Sequence, residues 1–157
     1  MIVLDTNILV YAYHPQLPQH EKVVRWLESS LTHRSESIAL VWPAVSGFIR
    51  ISTNRRVFEE PMTVDVANRY ICDLLSHPLV HQIHTTDEHW KIFSSLLNDL
   101  RLAGDLVADA HIAAIAIEHG GSIASTDKDF RRFSDYVKII DPLVDQNLTE
   151  EVPSENS

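Results

Sequence analysis

The stretch Asp105-Leu106-Val107-Ala108-Asp109-Ala110-His111-Ile112-Ala113-Ala114-Ile115-Ala116-Ile117-Glu118-His119-Gly120-Gly121-Ser122-Ile123-Ala124-Ser125-Thr126-Asp127 decides the fold class. Residues 105–119 read as a helix with almost no polar face, stopped by Gly120-Gly121. Ser122 to Ser125 reads as a strand running into Thr126-Asp127. A helix that is apolar all round packs inside a domain. A carboxylate in its first turn, Asp109, must therefore be paired, line a cavity or hold a metal, and the helix N-terminus favours the anion. Asp105 lies one turn earlier, about 40° away around the axis, so both acids can face one cavity. Asp105 also reads as the helix N-cap.

Outward from this unit, helices and strands alternate. Ile2-Val3-Leu4 is a short apolar strand ending in Asp5-Thr6-Asn7. Helical spacing runs from Gln19 to Leu31, and Ser37 to Val41 reads as a strand. Pro43 to Ser52 reads as a helix with Pro in its first turn. Thr63 caps a helix to Leu75, Val80 to His84 is a strand, and Thr85 with Glu88 forms a capping box for a helix to Leu100. Lys128 to Phe133 is a helical turn and Val137 to Ile140 a last strand. This order predicts an α/β fold with a mainly parallel sheet between two layers of helices. In such sheets, sites form beyond the carboxyl ends of the strands, where Asp5 and Asp127 fall. Taken singly, Asp5, Asp105 and Asp127 each fit a capping role, and Asp129 fits a solvated acid in the turn after Asp127. Capping does not explain Asp109.

Clustered carboxylates suit a divalent metal, because Mg²⁺ and Mn²⁺ prefer hard oxygen ligands. Such an ion lowers the pKa of water and stabilises a leaving phosphate oxygen. Without a cation, like charges so close resist ionisation. The net charge of −9 at first argues against a nucleic-acid partner. Five of the acids lie in residues 141–157, which carry no Lys or Arg, and without them −9 becomes −4. A metal can supply the positive charge a phosphodiester needs.

The blocks Val3-Leu4-Asp5-Thr6-Asn7, Gly47-Phe48-Ile49-Arg50-Ile51-Ser52-Thr53-Asn54, Asp109-Ala110-His111-Ile112-Ala113-Ala114 and Ser125-Thr126-Asp127-Lys128-Asp129-Phe130 resemble those of PIN domains, in that family's order. The VapC-type toxins of bacterial toxin–antitoxin pairs are the subgroup they look most like. The resemblance covers residues 1–142 and implies a three-layer α/β/α domain, with 143–157 as an acidic, flexible tail. It implies an Mg²⁺- or Mn²⁺-dependent endoribonuclease with Asp5, Asp109 and Asp127 as catalytic metal ligands. It implies Thr6, Asn7 and Thr126 as groups orienting carboxylates or water, and Arg50 as a substrate contact. RNA is the implied substrate, a VapB-type antitoxin the implied partner, and a homodimer the implied assembly. In one place the chain departs from the pattern. The family's Glu before the Gly-Phe-x-Arg block is missing, and Trp42 stands there. Asp105 is the candidate replacement, as a fourth ligand. The alternative reading is a PIN-like domain that binds RNA or a partner and cleaves weakly or not at all.

The remaining features read as structural. The 157 residues make one domain, and the single cysteine, Cys72, reads as a small buried apolar residue in a reducing compartment. No stretch reads as a leader or a membrane span, so the expectation is a cytoplasmic protein. Arg55, Arg56, Arg131 and Arg132 read as a solvated face, His81, His84 and His89 as surface residues, and Trp26, Trp42 and Trp90 as core or interface. His111 points about 200° from Asp109 on its helix, away from the acids. No P-loop and no G-x-S-x-G motif is present. A phosphatase with a nucleophilic Asp needs a second Asp where Asn7 stands.

Overall fold

Five strands form one sheet: β1 (Ile2–Leu4), β2 (Ile38–Leu40), β3 (Val80–Gln82), β4 (Ser122–Ala124) and β5 (Ile139–Ile140). Every pairing is parallel and the order is β3-β2-β1-β4-β5, with Val3 opposite Ala39 on one side and Ile123 on the other. All residues of β1, β2 and β4 are buried. Because successive side chains of a strand point to opposite faces, burial of all three residues requires cover on both faces. The helices α1 (Thr6–Tyr13), α2 (His20–His33), α3 (Trp42–Ser52), α4 (Val64–Leu75), α5 (His89–Asp99) and α6 (Leu106–Glu118) supply it. The computed structural model describes residues 1–33 and 36–144. The expected acidic tail lies outside the described residues from Asp145 onward. Among the described residues no helix is long and apolar enough to cross a membrane.

The chain runs β1, β2, β3 towards one edge and then returns to place β4 on the other side of β1. That reversal of direction leaves a crevice at the carboxyl ends of β1 and β4, where open parallel sheets bind ligands. The Asp5 N–H continues the ladder to the Ala124 carbonyl at 3.0 Å, and the Ser125 N–H to the Ile140 carbonyl at 3.0 Å. Both chain ends are thus held by the sheet as they leave it.

Several local expectations are corrected. A helix, α1, begins directly after Asp5, in a span where the sequence pattern sets no helix bounds; Asp5 takes the capping role considered for it, accepting from the Thr6 N–H at 2.6 Å. The Thr85–Glu88 capping box does not form. The Glu88 side chain makes no cap bond and pairs with Lys91 at 3.2 Å, while the Thr86 N–H donates to the Glu118 carboxylate at 2.7 Å. A tertiary partner at the end of α6 has displaced the local one. Cys72 is exposed, because the buried stripe of α4 is Ala67, Ile71 and Leu74 and Cys72 lies about 100° round from Ile71. Trp26 is buried, but Trp42 is 48% and Trp90 71% exposed. Both sit in the first turns of their helices, ahead of the packed face.

Helices α1 and α3 approach closely through Gly47. A Cβ there would lie 2.7 Å from Thr6 Oγ1, so a larger residue requires the Thr6 side chain or the helices to shift. This contact is what sets α3 beside the crevice.

Candidate metal centre

Asp5 is held at the carboxyl end of β1 and is only 4% exposed. One carboxylate oxygen accepts from the Thr6 N–H and the other from the Ser125 hydroxyl, at 2.8 Å. Burial pushes its pKa from 3.8 up to about 7; the hydrogen bonds from Ser125 and Thr6 pull it back, and the charges of Asp109 and Asp127 push it further up. Asp109 is half-buried, in the first turn of α6. Its pKa rises to about 6, through burial first and then the charges of Asp127 and Asp129, with Arg132 opposing and Asp105 adding. Asp109 and Asp127 therefore stand close enough to be felt at Asp5, and Asp127 at Asp109.

Asp127 is exposed and caps a 3₁₀ turn, Lys128–Phe133, by accepting from the Asp129 N–H at 2.8 Å. Asp105 occupies the N-cap position of α6 but its side chain makes no cap hydrogen bond. It lines the crevice instead, as the shared face with Asp109 anticipated. Asp129 also lines the crevice, and Arg132 binds it at 2.7 Å.

The residue that ties the site together is Ser125, which the sequence reading passed over in favour of Thr126. Its hydroxyl donates to Asp5, accepts from the Asp127 N–H at 3.0 Å, and accepts from Asn7 Nδ2 at 3.4 Å. The signal was available in the alternation of extended backbone: Ser125 and Asp127 share a side, and Thr126 faces the other way. Thr126 enters the network through its N–H, 3.5 Å from Asn7 Oδ1. Asn7 therefore orients the site, while the Thr6 hydroxyl turns to the Ala44 carbonyl at 3.5 Å and contributes its N–H alone.

The crevice is a cleft of about 530 Å³. Asp5, Asp105, Asp109, Asp127 and Asp129 line it with Asn7, and Val10, Tyr11, Ile51, Ile112 and Arg50 continue its wall. Trp42 is not part of that wall, and the first turn of α3, Trp42-Pro43-Ala44, supplies no acid. His111 turns away from the cleft, as expected, to pack against His89 and Phe93. His89 pairs with Glu118 rather than standing free at the surface.

The donor set suits a hard divalent cation. It is all carboxylate oxygen, it gathers at one end of one cleft, and two of its members resist ionisation without a counter-charge. In spacing the set is open: among the described residues no three His, Cys, Asp or Glu side chains converge as an ion would require. The oxygens of Asp5 and Asp127 are turned to backbone N–H groups of their own helical turns, so closing on an ion takes side-chain rotation.

Comparison with known proteins agrees with this architecture. The PIN domain family model matches residues 2–136. Ribonuclease VapC43 of Mycobacterium tuberculosis is 37% identical over 133 residues, 85% of this chain and 90% of the relative. Ribonuclease VapC33 of the same organism is 37% identical over 143 residues, 91% and 99% of the two chains. Among solved structures, a VapBC2 complex of Rickettsia felis bound to a promoter DNA fragment superposes with a TM-score of 0.66 at 18% identity, over 89% of this chain and 98% of the other. The Mycobacterium tuberculosis toxin VapC20, which cleaves the sarcin–ricin loop, gives 0.64 at 15%, over 90% and 100%. These last two likenesses concern the fold.

Proposed function

The chain belongs to the PIN-domain family, and we propose that it is the ribonuclease toxin of a toxin–antitoxin pair, cutting RNA phosphodiesters by hydrolysis. The observation that carries this is the 37% identity to VapC ribonucleases over nearly the whole chain, together with the gathering of Asp5, Asp109 and Asp127 in one cleft. A VapB-type antitoxin is its partner, the working assembly is a homodimer, and the site of action is the cytoplasm, where RNA and antitoxin meet.

On our reading Asp5, Asp109 and Asp127 hold Mg²⁺ or Mn²⁺, with Asp105 as a fourth ligand. The ion, when bound, supplies the positive charge that a phosphodiester needs in so acidic a cleft and acidifies water. The chain does the rest. Ser125 and the Thr6 N–H keep Asp5 from turning away. Asn7 braces the turn that carries Asp127. Asp5 and Asp109, with pKa values near neutrality in the metal-free cleft, give up their protons when a cation arrives. Arg50 contacts the substrate.

A second reading is favoured by one observation: the first turn of α3 holds Trp42 where the family pattern has an acid. It is a domain that binds RNA or its partner and cleaves weakly. An RNA cleavage assay in Mg²⁺, Mn²⁺ or EDTA, run beside Asp109→Asn, separates the two. The nuclease reading expects metal-dependent cleavage lost in EDTA and in the variant. Equal cleavage in EDTA, or an unimpaired variant, refutes it.

A further inference from the structure

We propose that the cleft holds, next to its carboxylates, a subsite for one single-stranded nucleotide, with the Tyr11 ring against the base and the Arg50 guanidinium on the adjoining phosphate. This rests on the ribonuclease reading and adds to it how the strand is gripped.

The placement follows from α1. Asn7 touches Ser125 and Thr126 and so marks the carboxylate end. Tyr11 is four residues on, on the same helix face and about 5.4 Å along the axis, and it too lines the cleft. The Tyr11 carbonyl bonds the His20 ring at 2.8 Å, which anchors the end of the helix. Its hydroxyl has no hydrogen-bond partner among the described residues, and the residue is half-buried at the cleft wall.

Arg50 comes from α3, one turn beyond the close contact of Gly47 with Thr6. It is exposed, forms no ion pair among the described residues, and is the only cation among the residues lining the cleft. The cation that offsets Asp109 is Arg132. An unpaired cation in a cleft otherwise lined by five Asp is placed for an anion that reaches past them. Val10 and Ile51 add apolar surface to the cleft wall. Aromatic face plus neighbouring cation is the chemistry that holds unpaired bases and their phosphates. A duplex, whose bases are stacked inside it, has nothing to offer Tyr11.

The test uses oligoribonucleotides that carry one abasic position moved along the strand, with both cleavage kinetics and fluorescence anisotropy as readouts. The proteins are wild type, Tyr11→Ala, Tyr11→Phe, Arg50→Ala and Arg50→Lys, each checked for folding by circular dichroism. Tyr11→Ala is expected to raise KM and Kd about ten- to a hundred-fold with kcat held, and Tyr11→Phe to restore them. One abasic position should cost wild type the same factor and cost Tyr11→Ala nothing more. Arg50→Ala should reduce the salt dependence of binding by about one phosphate contact, and Arg50→Lys should keep it. The subsite is refuted if wild type and Tyr11→Ala suffer equally from every abasic position, or if Arg50→Ala leaves the salt slope intact. Failure of the nuclease reading looks different: wild type then cuts no RNA in any metal. In that event the anisotropy comparison still decides whether the subsite exists.

Discussion

Replacing Asp5 by Asn is expected to stabilise the metal-free protein at neutral pH while abolishing its activity. Asp5 is almost wholly buried, and its pKa is raised from 3.8 to about 7, chiefly by desolvation. A carboxylate whose folded pKa lies above its unfolded value binds protons more tightly in the folded state. Stability from this group is therefore complete below about pH 4 and falls as pH rises to the folded value near 7. A rise of that size corresponds to about 4 kcal/mol lost between the two limits. Asn carries no charge, so it does not incur this loss. It can still accept from the Thr6 N–H, but it disturbs the Ser125 bond, which takes back about 1 kcal/mol. The net expectation is an Asn variant more stable than wild type by about 3 kcal/mol at pH 8 and by less than about 1 kcal/mol at pH 5. Urea unfolding in EDTA at several pH values between those limits measures it. Added Mn²⁺ should then stabilise wild type far more than the variant, because only wild type has the full donor set. If the two unfolding free energies run parallel from pH 5 to pH 8, Asp5 does not titrate in this range and the account of the cleft as a repelling cluster is wrong.

Three further outcomes are expected. Ser125→Ala should cost about 1.5–3 kcal/mol by removing a hydrogen bond to a buried carboxylate and should weaken Mn²⁺ binding near pH 6; titration calorimetry across pH 6–8 reads the loss, which should shrink as pH rises. Asp105→Asn should leave the melting temperature unchanged, since its side chain caps nothing, but should lower metal affinity; unchanged affinity removes it from the ligand set. Gly47→Ala should destabilise by about 1–3 kcal/mol through overpacking, because its methyl would meet Thr6 Oγ1 at 2.7 Å and Cγ2 at 2.9 Å. The double variant with Thr6→Ala should recover most of that, and a failure to recover would place the strain elsewhere.

The fold was legible wherever local chemistry and tertiary demand agreed. All five strands fall inside the stretches read as strands, though the ladders use two or three residues of each. Thr63 caps α4 as expected, accepting from the Val66 N–H at 3.3 Å. Legibility failed where a distant residue competed. The end of α6 claims Thr86, and α1 starts so abruptly after Asp5 that one residue both ends the sheet and caps the helix. In the site, Asp5, Asp105, Asp109 and Asp127 were readable because each follows a strand or opens a helix. Ser125 was not, because its importance lies in bonds to residues 118 to 120 positions away as well as to a near neighbour. Tyr11 and Arg50 reach one cleft from two helices that meet at Gly47, which no local pattern reports.

The cluster's composition and its spacing carry different information. Ser125 bonds both Asp5 and the backbone of Asp127, so those two acids are braced against each other through one hydroxyl. Asp109 and Asp105 come from a separate element. The middle of α6, Ile112 to Ala116, is wholly buried and fixed by packing, yet its first turn is open: Ala108 is exposed, and Gly104, just before it, has a φ of +61°. That left-handed backbone is one that glycine alone adopts without strain. Closing on an ion therefore calls on two groups of side chains: Asp105 and Asp109 at the open first turn of α6, and Asp5 and Asp127, whose chain segments Ser125 ties together but whose carboxylates are turned to their own helical turns.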